Sequence, residues 1–393
     1  MKIGWFFSIC IYVFVFFIDF YTSFIPMWIN FILFTIICIS ITFFVLKKLH
    51  SKIEIEEELY KDSEWKELKI FVITVEKNEG KVILDAVDHY LSFPENVKMR
   101  IYDDNSTDGT YEKLLEKREK YHERLEILRI KSTNKVLHPK GIGVEDAFHS
   151  IEADYFFVMD ADSIVSFEDF KKGLFIADRQ KIDVVHLTRR NDTIESAGYR
   201  IGDTDELMMV AMKSINLIPW NFSGSGFFIK GDVAKTLHYG SSVFSEDTEI
   251  GRQLRDSNFK IEYLITLEVH ERAPLTLRRS FSQRMNWLKM GIPHYLKEEK
   301  GAIFVGNFIF ASFTYLPFFA FSISSTLAIG VGGFAFGLLL TVSKVLGKKS
   351  VFQSLLDVIL YIVVEYITFA FIYPAMLFIT PFRKHLKFSK NAV

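Results

Sequence analysis

Cysteine is scarce in this chain, and its charges nearly cancel. Only two cysteines occur among 393 residues, Cys10 and Cys38, and both lie inside apolar runs. This low number argues against a disulfide framework and against a metal site made of cysteines. The 47 basic and 48 acidic side chains leave a net charge of −1, so the overall charge provides no attraction for a nucleic acid.

Long apolar runs stand at the two ends of the chain, where the 40 Phe residues are concentrated. The first two runs, residues 3–18 and 24–46, each approach the roughly 20 residues that a membrane-spanning helix needs. The first run has no small-residue cleavage site, which argues against a signal peptide. Basic residues after position 46 favour the cytoplasmic side. We therefore predict a transmembrane hairpin in the cell membrane, with the following chain in the cytoplasm.

The apolar runs return near the carboxyl terminus. Residues 301–323 and 326–342 predict a second hairpin, again followed by a basic stretch. The last run, residues 355–380, contains Glu365 and Pro374, and it fits either one tilted span or two shorter segments broken near the proline. An acidic side chain near the middle of a membrane is costly, so Glu365 is either functional or paired inside the helical bundle.

Between these ends, short apolar segments alternate with amphipathic ones. The predicted strands are 69–75, 98–104, 126–130, 155–162, 183–188 and 261–269, and the predicted helices include 79–91 and 108–125. An acidic connector at 54–68 is also predicted to be helical. Alternating strands and helices predict an α/β domain with a mostly parallel sheet, in which ligands bind beyond the carboxyl ends of the strands.

Three acidic motifs occur in a fixed order along this central region. They are "YDDNSTDGT" (102–110), "DAD" (160–162) and "SEDTEIG" (245–251). Together with the flanking apolar runs they resemble the membrane-integrated family 2 glycosyltransferases, the group of hyaluronan, chitin and cellulose synthases. The resemblance covers about residues 69–291. It implies a Rossmann-like GT-A domain inserted between N- and C-terminal transmembrane helices, and an inverting transfer of sugar from a nucleotide-sugar, a UDP-sugar, to a growing polysaccharide.

Asp160 and Asp162 end a predicted buried strand. Carboxylates that leave water are costly unless they are paired or hold a metal, and Mg²⁺ or Mn²⁺ binds carboxylates together with substrate phosphates. The resemblance implies that Asp162 is a direct ligand of Mg²⁺ or Mn²⁺, and that Asp160 reaches the metal and the nucleotide. The alternative is that both aspartates belong to a solvated turn that caps the next helix.

Several further residues gain roles from the resemblance. The nucleotide-sugar contacts that it implies are Val75, Glu79, Asp103, Lys140 and Asp160. Asp103 would contact the base, and Lys140 in "HPKGIG" (138–143) would contact the diphosphate unless it is an ordinary surface lysine. Val75 stands where the family has a proline. Asp108 is better explained as a helix cap.

Asp247 is the candidate general base. An inverting transfer needs a carboxylate that takes the proton of the attacking hydroxyl, and the resemblance assigns this role to Asp247. The alternative is that its charge only stabilises a helix N-terminus. The loop within "NFSGSGFFIK" (221–230) matches the family's Gly-Ser-Gly loop, whose small residues would let an acceptor sugar approach closely. The implied acceptor contacts are Gly224, Ser225, Gly226, Glu246 and Trp287.

The segment "RRSFSQRMNWLKMG" (278–291) resembles the family's Gln-x-x-Arg-Trp motif. The resemblance implies that Gln283, Arg284 and Trp287 contact the nucleotide-sugar. Asn286 replaces the family's arginine, which leaves open an enzyme that is not processive and glycosylates a membrane lipid or lipid phosphate. A non-catalytic membrane scaffold is a third hypothesis, against which the retained carboxylates argue. The segment is also basic and amphipathic, as interfacial helices are.

These observations predict five regions. They are a transmembrane hairpin (1–48), a cytoplasmic GT-A domain (49–272), amphipathic interface helices (273–300), a C-terminal transmembrane region (301–382) and a basic tail (383–393). The predicted partners are a nucleotide-sugar donor, a glycan or lipid acceptor and the lipid bilayer, with no nucleic acid.

Overall fold

The computed structural model describes residues 27–61, 63–65, 67–130, 139–191, 196–214, 222–238, 246–272, 276–285, 337, 339–347 and 350–367. The chain divides into two compact units. The first, which we call the sheet unit, comprises Phe44–Glu195 and Asp205–Ala273. The second comprises Met1–Phe43, Ser196–Thr204 and Pro274–Val393. The sheet unit thus begins earlier than the predicted boundary at residue 49, and residues 196–204 are not part of it.

In the part that the structure describes, the sheet unit is built on eight strands. They are β1 (Ile70–Glu76), β2 (Val97–Asp103), β3 (Leu125–Arg129), β4 (Tyr155–Val158), β5 (Ile164–Val165), β6 (Val184–Asn191), β7 (Phe227–Lys230) and β8 (Ile261–Glu271), in the spatial order β3-β2-β1-β4-β7-β6-β8-β5. Neighbours β1–β2, β2–β3, β1–β4 and β6–β8 are parallel. Strand β7 is antiparallel to β4 and β6, and β5 is antiparallel to β8. The predicted mostly parallel α/β sheet is therefore confirmed.

Two details of the strand prediction were wrong. The predicted strand 155–162 ends at Val158, and the chain then passes through Asp160 into a turn at Ala161 and Asp162. Strand β6 continues to Asn191, three residues past the predicted end at 188, because it pairs with β8 along this stretch. Strand β5, of two residues, was not predicted.

Eight of the described helices contribute residues to the sheet unit. They are α1 (Met27–Leu59), α2 (Gly80–Tyr90), α3 (Thr110–Tyr121), α4 (Pro139–Ser150), α5 (Phe167–Arg179), α6 (Ala197–Ser214), α7 (Gly231–Ala234) and α8 (Glu246–Asp256). Because side chains alternate along a strand, β1 contributes to two cores. Ile70 and Val72 pack in one cluster with Ile83 of α2. Phe71 packs in the other with Phe148 of α4. Both faces of the sheet are thus buried, as in parallel sheets generally.

Helix α1 replaces two predicted elements. It is continuous from the second apolar run into the acidic connector. The connector was predicted to be helical to residue 68, but the helix ends at Leu59. Near its end, the Glu56 carboxylate accepts hydrogen bonds from the amides of Ile265 (2.9 Å) and Thr266 (2.9 Å) in β8. Both amides lie where the register between β6 and β8 shifts. The Glu56 side chain there takes the place of the backbone acceptor that a regular strand pair would provide.

The described part of the second unit contains a helix over 277–285 and the helix Val351–Ile367. Ile201, Tyr361 and Val364 form a buried cluster there, against which Phe281 packs. The predicted runs 3–18 and 301–323 lie outside the described residues. Among the helices that the structure describes, none has both the length and the apolar character that a membrane crossing demands.

Candidate active site

Polar side chains converge at one edge of the sheet. Strands β1, β2, β4, β6 and β8 all end there, and the antiparallel β7 begins there. In such sheets this edge is the usual ligand site. The side chains that it gathers come from the strand ends, the turn after β4, the loop before β7 and the first turns of α4 and α8.

Lys140 connects two of the predicted carboxylates. It lies in the first turn of α4, and its ammonium contacts the Asp160 carboxylate and lies 3.6 Å from Oε1 of Glu246. Burial disfavours its charge, but Asp160 and Glu246 outweigh burial and hold the pKa of Lys140 above its usual range. The Lys140 side chain is 20% exposed, so the alternative of an ordinary surface lysine does not describe it.

Asp162 lies near two other carboxylates, those of Glu271 and Asp160. Burial, with added repulsion from Glu271 and Asp160, raises the pKa of Asp162 to about 7. A divalent cation would compensate these like charges, and an all-oxygen donor set suits Mg²⁺ or Mn²⁺. The residues present therefore fit such a metal. The capping alternative does not hold, because Ser166 caps the next helix by accepting a hydrogen bond from the amide of Asp169 at 3.1 Å.

Arg189 and Glu271 complete this edge, and the sequence did not identify either. Nη2 of Arg189 lies 2.7 Å from Oε2 of Glu271, and Nη1 donates to Oγ of Ser223 at 2.9 Å. Burial would raise the pKa of Asp160, but the charges of Lys140 and Arg189 bring it below its usual value. Both missed residues stand at or just past the end of a predicted strand, which was the signal available.

The Gly-Ser-Gly loop directly precedes β7, as the sequence indicated. Ser225 is buried, and its Oγ accepts the amide hydrogen of Asp160 at 3.0 Å and lies 2.9 Å from Oγ of Ser163. The loop thus supports the turn that carries Asp160 and Asp162. A Cβ on Gly224 would stand 3.2 Å from Cβ of Asp247 and 3.3 Å from Nζ of Lys140, so both side chains lie close to this glycine.

We expect Gly226→Ala to destabilise the sheet unit. Gly226 has φ of 76°, and an added Cβ would lie 2.5 Å from Cγ1 of Val269. Strain and overlap together should cost about 1–3 kcal/mol of unfolding free energy, seen as a lower melting temperature. Gly109→Ala is the matched control, since φ there is 84° and the added Cβ meets nothing within 4 Å. Equal losses in the two variants would mean that the contact with Val269 is irrelevant.

A buried acidic pair ends β1 and β2. Oδ1 of Asp103 accepts from the amide of Ser106 at 3.0 Å, and Oδ2 accepts from Nε of Arg129 at 2.8 Å. Burial alone would raise the pKa of Asp103, but hydrogen bonds from Ser106, Glu76 and Arg129 bring it below the usual value. Burial, with the hydrogen bond to Asp103, raises the pKa of Glu76 to about 8. Glu76 therefore carries the proton of this pair, and the sequence reading missed it.

Glu76 should make stability depend on pH. The folded protein binds the Glu76 proton more tightly than the unfolded chain, in which the pKa is near 4.5. Glu76 therefore contributes its full stabilisation of the fold below that pH, and this stabilisation is lost as the pH rises towards 8. Glu76→Gln mimics the protonated form. Its free energy of unfolding should therefore rise relative to that of the wild type by up to about 1.4 kcal/mol for each pH unit within this window. Melting curves of both proteins between these limits test this, and parallel pH profiles would contradict it.

The other predicted nucleotide-sugar residues of the sheet unit lie nearby. Val75 is half-buried beside Gly143, whose added Cβ would lie 2.7 Å from Cγ2 of Val75. Burial, with repulsion from Asp160, raises the pKa of Glu79. Asp108 accepts from the amide of Thr110 at 3.0 Å at the start of α3, although Gly109 occupies the cap position.

Three predicted residues are not part of the sheet unit. Gln283 and Arg284 belong to the second unit, where Gln283 is half-buried and Arg284 is buried. Trp287 lies outside the described residues. The roles predicted for all three stay predictions, as do the acceptor contacts at the Gly-Ser-Gly loop.

One solved structure shares this fold. A mannosyltransferase from Pyrobaculum calidifontis, in complex with GDP-Man and Mn²⁺, is 14% identical over 86% of this chain and 99% of its own, with a TM-score of 0.50. TarS from S. aureus is 16% identical over 76% of this chain and 55% of its own, with a TM-score of 0.41. At such identities the first likeness shows the GT-A-like fold alone, and the second carries no weight. No curated protein matches the sequence.

Family models match most of the chain. "Glycosyl transferase family 2" matches residues 71–238, which span the sheet edge from β1 to the end of α7. "Glycosyl transferase family group 2" matches residues 155–381, more than half of the chain, and includes Asp160, Asp162 and Asp247. The matched residues cover most of the α/β sheet and the acidic side chains at its carboxyl edge. The chain therefore belongs to glycosyl transferase family group 2.

Proposed function

We propose that the protein is an integral-membrane, inverting, metal-dependent glycosyltransferase that transfers sugar from a UDP-sugar to a growing polysaccharide and is coupled to its secretion. The observation that carries this proposal is the meeting of Lys140 with Asp160 and Glu246, next to Asp247, at the carboxyl edge of the sheet. This edge thus brings together a candidate base, a cation for the diphosphate and candidate ligands for a metal.

Asp247 is the base of the proposed reaction. The oxygen of the acceptor hydroxyl forms a bond to the anomeric carbon while the bond from that carbon to the phosphate oxygen breaks. The electron pair of the broken bond leaves with the nucleoside diphosphate, and the hydroxyl proton moves to the Asp247 carboxylate. A single displacement of this kind inverts the anomeric configuration.

Asp162 and Asp160 would hold Mg²⁺ or Mn²⁺. When bound, the cation supplies Lewis-acid stabilisation of the charge that develops on the diphosphate. Lys140 adds a fixed positive charge and N–H donors for a phosphate oxygen. Arg189 and its partner Glu271 flank these groups, and the charges of Lys140 and Arg189 both lower the pKa of Asp160. Gly224 lets Asp247, Glu246 and Lys140 approach its backbone closely, because a Cβ there would stand 3.2–3.3 Å from all three.

The membrane location rests on the sequence. Apolar runs 3–18, 24–46, 301–323 and 326–342 flank the sheet unit, and basic stretches follow the second and fourth of them. This pattern supports a multi-pass protein of the cell membrane whose sheet unit faces the cytoplasm. Donor sugars would then be used on the cytoplasmic side.

A second candidate is a single transfer to a membrane lipid or lipid phosphate. Asn286 favours it, because this residue stands where the related synthases carry the arginine of the Gln-x-x-Arg-Trp motif. Both candidates use the same donor and base, and they differ in the number of sugars added to one acceptor.

The test is sugar transfer by the full chain in detergent or in a bilayer. We would screen radiolabelled UDP-sugars, and GDP-sugars because the mannosyltransferase of the same fold holds GDP-Man, with Mg²⁺, Mn²⁺ or EDTA. A metal-dependent ladder of products on a gel supports the polysaccharide synthase. One lipid-soluble product supports the second candidate. Neither transfer nor donor hydrolysis by the folded protein, with any donor, would overturn both.

A further inference from the structure

We propose that Glu145, His149 and His238 form a second metal site, for a transition-metal ion such as Zn²⁺, on the surface of the sheet unit. Glu145 and His149 are one helical turn apart on α4, and His238 follows α7. One ligand atom from each of the three side chains lies within 4.8 Å of the others. Residues four apart on a helix share a face, so both α4 side chains can reach one ion.

The hydrogen bond of His149 supports this assignment. Nε2 of His149 lies 3.0 Å from the backbone carbonyl of Leu237. A carbonyl oxygen can only accept, so Nε2 carries the hydrogen and Nδ1 keeps its lone pair. Metal-binding histidines regularly donate their other ring N–H to a carbonyl in this way, which sets the tautomer and the ring orientation.

The distances suit a tetrahedral ion. Nδ1 of His238 lies 3.5 Å from Oε1 of Glu145, and the His149 and His238 ring centroids are 4.7 Å apart. Two ligands bound at about 2.1 Å in a tetrahedral site are about 3.4 Å from each other. An exposed His–Glu pair alone would be a weak ion pair, whereas two imidazoles beside one carboxylate are the ligands of many zinc sites. Both histidines are exposed, so a water can fill the fourth position.

The backbone of His238 is held in place by α8. The amide of His238 donates to Oε1 of Gln253 at 2.9 Å, and Nε2 of Gln253 donates to the His238 carbonyl. Helix α8 begins with Glu246 and Asp247, and α4 begins with Pro139 and Lys140. A bound ion would therefore tie α4 to the segment after α7, and Gln253 of α8 holds the backbone of that segment.

This site differs in chemistry from the carboxylates at the sheet edge. Nitrogen ligands favour Zn²⁺ and Cu²⁺, whereas Mg²⁺ prefers the oxygen ligands of Asp160 and Asp162. The two can thus be distinguished by the nitrogen signals of a bound metal. The inference does not depend on the proposed reaction, and its test needs no sugar transfer.

The test uses the full chain in detergent with excess Mg²⁺ to cover the carboxylates. Equilibrium dialysis would measure Zn²⁺ binding, and electron paramagnetic resonance of bound Cu²⁺ would detect nitrogen coupling from two imidazoles. We expect one Zn²⁺ per chain, and at least a tenfold weaker affinity in His149→Ala and in His238→Ala, since even outer-shell changes cost about 10–100-fold. Both side chains are exposed, and circular dichroism would check that the variants fold.

His50→Ala is the matched control. His50 is also exposed and lies 3.2 Å from Glu54 one helical turn away, so it forms a His–Glu pair of the same kind on α1. Zn²⁺ affinity unchanged in His50→Ala and in Asp162→Asn, but weakened in the two site variants, supports the proposal. Equal affinity in the wild type and His149→Ala, or a Cu²⁺ spectrum without nitrogen coupling, would overturn it.

Discussion

Replacing Asp247 by asparagine should lower the rate of sugar transfer by about 100- to 10,000-fold, the range that general bases contribute. Asparagine keeps the size and the polarity of the side chain but cannot take the hydroxyl proton. Asp247 lies at the start of α8 beside Gly224 and Lys140, so its loss should affect the chemical step more than donor binding. Initial rates at saturating donor, with donor affinity measured separately, check this.

The control for this variant lies on the same helix. Asp256 is exposed and pairs with Arg252 at 3.0 Å near the end of α8, so Asp256→Asn should retain the activity of the wild type. Glu246→Gln is informative as well, because burial raises the pKa of Glu246 and makes it the weaker candidate for an ionised base. If Glu246→Gln were inactive while Asp247→Asn kept its rate, the base would have to be reassigned.

Asp162→Asn should abolish the metal-dependent part of transfer. Lewis-acid stabilisation supplies several kcal/mol, which corresponds to about 100- to 10,000-fold in rate. The same variant should bind Mn²⁺ much more weakly, which can be measured by electron paramagnetic resonance without any acceptor. Asp162 lies among Asp160 and Glu271, so removing one charge also relieves repulsion. The variant should therefore fold at least as stably as the wild type.

Asp85→Asn provides the comparison for Asp162→Asn. Asp85 is exposed on α2, and its replacement should change neither Mn²⁺ affinity nor transfer. A wild-type rate that resists EDTA, or Mn²⁺ binding that survives in Asp162→Asn, would show that the metal is absent or held elsewhere.

Much of the candidate site could be predicted from where polar residues follow strands. Asp103 and Asp160 stand at or just past the ends of parallel strands, and such ends meet at one edge whatever the details of the loops. Lys140 and Asp247 needed the family resemblance, since an aspartate in a first helical turn is favoured by the helix dipole and a lysine is common on any protein surface. The structure brings Lys140 and Asp247 to the same glycine, Gly224.

Other residues could not be predicted because their roles depend on long-range contacts. Ser225 supports the turn of Asp160 because β7 is antiparallel and starts at the edge where its neighbours end. Nothing in the local pattern signals that reversal. Glu76 shares a proton with Asp103 across two strands, and an alternating strand pattern only indicates which face Glu76 occupies. Arg189 was missed because the predicted end of β6, residue 188, lies three residues before the observed end at Asn191.

The continuity of α1 has a practical consequence for anyone who wishes to isolate the sheet unit. A cut just before β1 would discard the whole of α1 as an anchor. Such a cut would remove Glu56, and the amides of Ile265 and Thr266 would lose their hydrogen-bond acceptor. An amide left without a partner in a buried position costs about 1–3 kcal/mol of stability. An excised fragment should therefore start ahead of Lys52, whose ammonium also contacts Glu262. The last two turns of α1 therefore belong to the sheet unit, since they supply the hydrogen-bond acceptor of two amides in β8.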